Sequence, residues 1–110
     1  MISISFYRNE EDMIFGFETE GHAEYAKPGK DIVCAAVSIL IENTVNSIEE
    51  LLKVKVELTD NPKTGYIDMR VSDYQRSDVQ LLFNSLELGL KEIEKQFEKN
   101  VRLTNRRCKP

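Results

Sequence analysis

The stretch Gly21-His22-Ala23-Glu24-Tyr25-Ala26-Lys27-Pro28-Gly29-Lys30-Asp31-Ile32-Val33-Cys34-Ala35-Ala36-Val37-Ser38 decides how the chain is read. Pro28 and Gly29 break regular structure in its middle. After them, Asp31 opens a long apolar run with helical spacing, and aspartate is a strong N-cap residue. With Asp31 as the cap, Cys34 occupies the third helical position, inside the first turn. Backbone N–H groups there have no intrahelical partner, and the helix dipole is positive at that end. Such a place favours a thiolate, the reactive form of cysteine. His22 is the only histidine of the chain. A loop that returns it to the helix start puts a base beside a nucleophile.

Outward from this stretch the chain alternates hairpins and helices. Ile2, Ile4 and Phe6 alternate with Ser3, Ser5 and Tyr7, the mark of a half-buried strand. Asn9 to Asp12 form a polar turn, and Met13, Phe15 and Phe17 alternate again, which makes a hairpin. The spacing predicts a helix from Ile32 to Leu52, with Val33, Val37, Leu40, Ile41, Thr44, Ile48, Leu51 and Leu52 as its buried stripe. Val54, Val56 and Leu58 predict a third strand, Asp60 to Gly65 a turn, and Ile67, Met69 and Val71 a fourth strand. Ser77 with Gln80 reads as a capping box for a second helix, whose stripe is Val79, Leu82, Phe83, Leu86, Leu90, Ile93 and Phe97. Gly89 inside that helix implies close packing against a neighbour. Val101 to Thr104 read as a last short strand, and Asn105 to Pro110 as a flexible polar tail.

The order ββαββαβ predicts an α+β fold. Its largely antiparallel sheet has about five strands, with two helices packed on one face. Residues 1–104 form a single domain, and 105–110 the tail. The other sheet face is then solvated or covered by a partner. With Phe6, Phe15 and Phe17 on the first hairpin and Ile14 pointing opposite to Phe15, an apolar second face would imply a homodimer.

Composition narrows the function classes. The 110 residues suit one domain, and 41% hydrophobic residues are enough for a core. A net charge of −4 and a pI near 5.1 argue against a dedicated nucleic-acid binder, which carries a basic face. No segment reads as long enough for a membrane span, and the alternating N-terminus is no signal peptide. The cytoplasm is the expected compartment. Cys34 and Cys108 lie far apart without a C-x-x-C spacing, so they form no disulfide framework, although a bridge between them is compatible with the sequence. One histidine and two distant cysteines do not give metal-ligand spacing, and no metal site is expected. Redox chemistry lacks a nearby resolving cysteine.

The residues also offer the elements of thiol-dependent acyl transfer. Cys34 supplies the nucleophile, His22 the base, and the helix-start N–H groups an oxyanion site. Ser38 lies one turn beyond Cys34 on the same face and could donate to thiolate or substrate. Asp31 has two readings: the cap of the helix, or a third member that orients His22. Taken alone, a cysteine among small apolar residues is more often packing than chemistry, and a single histidine near a strand end is more often a surface or turn residue.

The pattern Gly21-His22-Ala23, Gly29, Asp31-Ile32-Val33-Cys34-Ala35-Ala36-Val37-Ser38 resembles the signature of the bacterial ribosomal-processing cysteine proteases (Prp). Length and element order are similar to that family over nearly the whole chain. The resemblance implies a small cytoplasmic endopeptidase with Cys34 and His22 as its catalytic pair and no cofactor. It further implies removal of a short N-terminal extension from a large-subunit ribosomal protein, number twenty-seven in the usual naming, during ribosome assembly. Left in place, that extension would obstruct the peptidyl-transferase region. The resemblance also implies a homodimer, with no direct nucleic-acid or membrane partner. Gly21, Ala23 and Gly29 would belong to the substrate-binding loop, with Glu24 to Lys30 as one wall of the cleft and Pro28-Gly29 as its hinge. The substrate is expected extended, pairing with a strand edge. The alternative is a non-catalytic assembly adaptor that binds the same extension.

Overall fold

Period-two burial builds the sheet. In the computed structural model, which describes residues 1–21 and 32–110, Ile2, Ile4 and Phe6 of β1 (Ile2–Arg8) are buried and alternate with less buried serines. β2 (Ile14–Glu20) returns antiparallel, pairing Phe17 with Phe6 and Thr19 with Ile4. The sheet is completed by β3 (Glu57–Asn61), β4 (Tyr66–Arg70) and β5 (Val101–Arg107), in the order β3-β4-β2-β1-β5. Every neighbouring pair is antiparallel except β1 and β5, which run parallel.

Two helices connect these strands: α1 (Ile32–Asn46) between β2 and β3, and α2 (Ser77–Gln96) between β4 and β5. Each joins strands that run in the same direction, passing over β4 in one case and over β2 and β1 in the other. The two crossovers start from antiparallel strands and move in opposite directions along the sheet. The right-handed rule therefore sends both helices to the same face. There α1 and α2 pack on each other and α2 on β2 and β5. Val33, Val37 and Ile41 from α1, and Val79, Phe83, Leu86 and Leu90 from α2, close the core over Ile4, Phe6, Phe17 and Met69. The α+β reading with a mostly antiparallel sheet is the fold observed.

Several local expectations change. The first helix continues past Asn46 as a π-helical turn, Ser47–Leu51, closed by the Leu52 N–H donating to Ser47 O at 3.2 Å. Rotation through that wider turn buries Ile48 and leaves Leu51, predicted to be buried, 76% exposed. Lys53 then adopts a left-handed φ of 57°, and Val54 N–H reaches back to Ile48 O at 3.1 Å. These close the helix, and Val54 just beyond it is buried in the core. The third strand consequently starts at Glu57 rather than Val54.

The capping box of the second helix does not form. Arg76 is the N-cap and makes no side-chain cap bond. Gln80 instead accepts from Ile14 N at 3.1 Å and donates to Ile14 O at 2.6 Å and Tyr74 O at 2.8 Å, pinning α2 to the start of β2. The last strand runs to Arg107, so residues 105–107 are sheet, not tail. Arg107 donates to Asn9 O at 2.6 Å and Cys108 N to Arg8 O at 3.0 Å. The run Ile32–Leu51 is long and apolar enough to cross a membrane, contrary to the sequence reading. Its stripe of Val33, Val37, Ile41, Val45 and Ile48 is buried in the core of this fold.

What the helix-free sheet face exposes is polar, because its aromatic rings Tyr7 and Phe15 stack at 5.5 Å and are already buried within the chain. A row across it reads Arg70, Gly16, Tyr7, Arg106, and the next reads Asp68, Glu18, Ser5, Thr104. The Tyr7 ring lies under the Arg70 and Arg106 guanidiniums, at 4.5 and 5.6 Å. Its hydroxyl donates to Asp68 at 2.6 Å. The argument for a homodimer from an apolar second face therefore does not hold.

Candidate active site

Cys34 is the third residue of α1 and is partly buried against the core. That is the position expected for it, in the first turn of α1. It opens onto a cleft of about 180 Å³ between α1 and the end of the sheet. Ser38 and Glu42, one and two turns further along α1, line the same cleft. Ile2, Val37, Ile41 and Ile67 make its apolar floor.

Thr19 and Gly21 bring the end of β2 into this cleft. Gly21 has φ +90°, a conformation that L side chains rarely adopt. A Cβ at this position would collide with the Met1 carbonyl oxygen. Only glycine lets the chain turn there and continue to His22 from a residue that lines the cleft. His22, Ala23, Gly29 and Asp31 lie outside the described residues, as does the predicted wall Glu24 to Lys30. Of the residues singled out from the sequence, Gly21, Cys34 and Ser38 are brought together.

A different wall escaped the sequence reading. The β3–β4 hairpin contributes Asp60, Asn61, Pro62, Gly65 and Tyr66. These residues read as a plain turn, and nothing local says which element the turn will face. Glu42 is solvent-exposed, and the spacing 34, 38, 42 puts it on the same helix face as Cys34 and Ser38.

Cys108 is remote from this cleft. Its N–H bonds Arg8 at one end of β1, while Cys34 shares the cleft with Ile2 at the other end. A seven-residue strand separates the two regions by roughly 20 Å. Both cysteines are thiols, which removes the bridge that the sequence allowed.

Behind the hairpin, charges order the helix-free face. Tyr66 donates to Glu18 at 3.1 Å, and Arg106 pairs with Glu18 at 3.3 Å. Arg70 donates to Asp68 at 3.1 Å. Burial pushes the Tyr7 phenol well above its ordinary range, helped by its hydrogen bond to Asp68. Burial would also raise Asp68, but hydrogen bonds from Tyr7 and Arg70 outweigh it and hold that carboxyl below its usual range.

Comparison with known proteins adds to this geometry. A family model described as "Cysteine protease Prp" matches residues 1–102. The ribosomal processing cysteine protease Prp of Bacillus subtilis is 30% identical over 108 residues, covering 94% of this chain and 96% of that protein. The protein of the same name from Staphylococcus aureus is 28% identical over 103 residues, covering 94% and 97%. The crystal structure of an essential Prp from S. aureus, with a covalently linked product peptide, matches with a TM-score of 0.89 at 27% identity, over 96% of this chain and 100% of that one.

Proposed function

Because this chain belongs to the Prp family of cysteine proteases, we propose that it acts through Cys34 and His22 on the N-terminal extension of large-subunit ribosomal protein number twenty-seven. Cysteine-protease activity in ribosomal protein processing is the family's function. The observation that carries the residue assignment is the position of Cys34: first turn of α1, open to a cleft, with Ser38 one turn away.

The Cys34 sulfur attacks the scissile carbonyl carbon, and the carbonyl oxygen becomes an oxyanion. First-turn N–H groups of α1, with Ser38, hold that charge. His22 takes the thiol proton and gives it to the leaving amine as the C–N bond breaks, which leaves a thioester on Cys34. Water, with His22 as base, then hydrolyses the thioester and restores the thiol. A peptide covalently held by the S. aureus relative supports this covalent route. The enzyme works as a homodimer in the cytoplasm, where ribosomes assemble. Sedimentation at micromolar concentration reads the dimer directly, and a monomer throughout would remove it.

The test uses a synthetic peptide spanning the extension junction of that ribosomal protein from the same genome. The wild-type chain should cleave it at one bond. Cys34→Ala and His22→Ala should keep the wild-type circular dichroism and melting curve but lose cleavage. A Cys34→Ala chain that still cleaves would refute the nucleophile. A wild-type chain that leaves this junction intact while cutting other peptides would refute the substrate.

A further inference from the structure

The cleft is set by two walls of unequal rigidity. The α1 wall is bolted to the core through Val33, Val37 and Ile41. In the hairpin wall, Met69 of β4 is the one strand residue fully buried in that core, and Ile67 is partly buried against it. Among the described residues β3 is the sheet edge and pairs only with β4, and it is exposed along its whole length. The backbone ladder between β4 and β2 ends at the pair Thr19 and Ile67, so Tyr66 and the turn project beyond it. An unsupported two-stranded hairpin is marginal in water.

One side chain ties this projecting end back. The Tyr66 hydroxyl lies 3.1 Å from Glu18 Oε2 and 3.4 Å from Asp68 Oδ2. Glu18 is in mid-strand on β2 and is itself held by Arg106 of β5 at 3.3 Å. The anchor therefore reaches the rigid centre of the sheet. Tyr66 also lines the cleft, next to Gly65 and Ile67.

We propose that Tyr66 is a positioning residue for peptide cleavage: its phenol, clamped to Glu18, fixes the β3–β4 wall of the Cys34 cleft at the distance that grips the substrate. Tyr66 does no chemistry on the scissile bond. It acts through the wall, so losing the clamp weakens substrate binding more than it slows the chemical step. This inference rests on the peptidase reading of the cleft.

Steady-state kinetics on the junction peptide test it. Tyr66→Phe should raise KM about three- to tenfold, the range that one hydrogen bond controls, with kcat within about twofold of wild type. Glu18→Ala should act in the same direction. The double variant should be no worse than the worse single one, because both remove one clamp. Val79→Ala, a core truncation in α2 away from the cleft, should lower Tm more than Tyr66→Phe yet leave KM unchanged. An unchanged KM in Tyr66→Phe, additive effects in the double variant, or an equal KM rise in Val79→Ala would each overturn the proposal. A wild-type chain that cleaves no peptide would instead sink the peptidase reading, so the two failures are distinguishable.

Discussion

Gly21→Ala perturbs the one backbone position where fold and chemistry meet. At φ +90° the new methyl group is strained and also runs into the Met1 carbonyl. Such strained residues cost about 2 kcal/mol when the surroundings hold them in place. For a domain of this size that lowers Tm by about 10 °C. The collision can be relieved only by backbone movement, since both atoms are close to fixed, and restoring ordinary contact takes about 1 Å. Residue 21 lines the cleft and directly precedes His22, the general base in the proposed mechanism, so on that proposal the same movement should impair the chemistry. A misplacement of about 1 Å can reduce catalysis by about 10²-fold. Thermal melting followed by circular dichroism reads the first effect. The value of kcat/KM on the junction peptide, measured well below the variant's Tm, reads the second. An unchanged Tm would mean that the chain at Gly21 is not held as described. A lowered Tm with wild-type kcat/KM would mean that Gly21 does not place the catalytic base, and the link between this turn and the chemistry would fail.

Other expectations follow from the ordered charges and the helix contact. Tyr7→Phe removes a hydroxyl that donates to the Asp68 carboxylate at 2.6 Å; urea denaturation should show a loss of about 1.5–3 kcal/mol, and a loss below about 0.5 would show the bond to be inconsequential. Stability should also follow pH at both extremes. Asp68 is held below its ordinary 3.8, so its contribution is complete above that pH and disappears as pH falls through the lowered value. Tyr7 is raised above its ordinary 10.0, so its contribution is complete below that pH and is lost as pH rises through the raised value. Denaturation midpoints across the pH range should fall at both ends, and Tyr7→Phe should reduce the alkaline fall; identical alkaline curves would exclude Tyr7 as its source. In α2, a Cβ on Gly89 would sit 2.9 Å from Leu40 Cδ1. Gly89→Val should therefore destabilise by about 1–3 kcal/mol through overpacking, while Leu40→Ala in the same chain should recover part of that loss. Two additive effects would deny the contact.

Features whose cause lies within a few residues were legible in the chain. The alternation of Ile2, Ile4 and Phe6 marks β1 because a strand shows alternate side chains to the core. The apolar stripe after Asp31 marks α1 and places Cys34 in its first turn. Where two local signals compete, tertiary packing decides. Ser77 and Gln80 match a capping box, but Ile14 and Tyr74 offer Gln80 a fuller set of hydrogen bonds. Val54 continues an alternating pattern, but its N–H closes the preceding helix and it is buried in the core. Asn105 to Arg107 look like a polar tail because an edge strand on a polar face needs no apolar residues. The partner ladder of β1 alone makes them sheet.

The sequence by itself determined the strand and helix order and the location of a cysteine at a helix start. It also carried the Gly-His and Asp-Ile-Val-Cys pattern of a protease family. All of these are set by short-range periodicity, capping and turn chemistry. Only the tertiary structure decided that the β3–β4 turn forms a wall of the cleft, that Gly89 receives Leu40, and that Tyr7, Asp68, Glu18 and Tyr66 share one charged face. These contacts join residues far apart in the chain. They depend on strand order and on the hand of two crossovers, which no local pattern encodes.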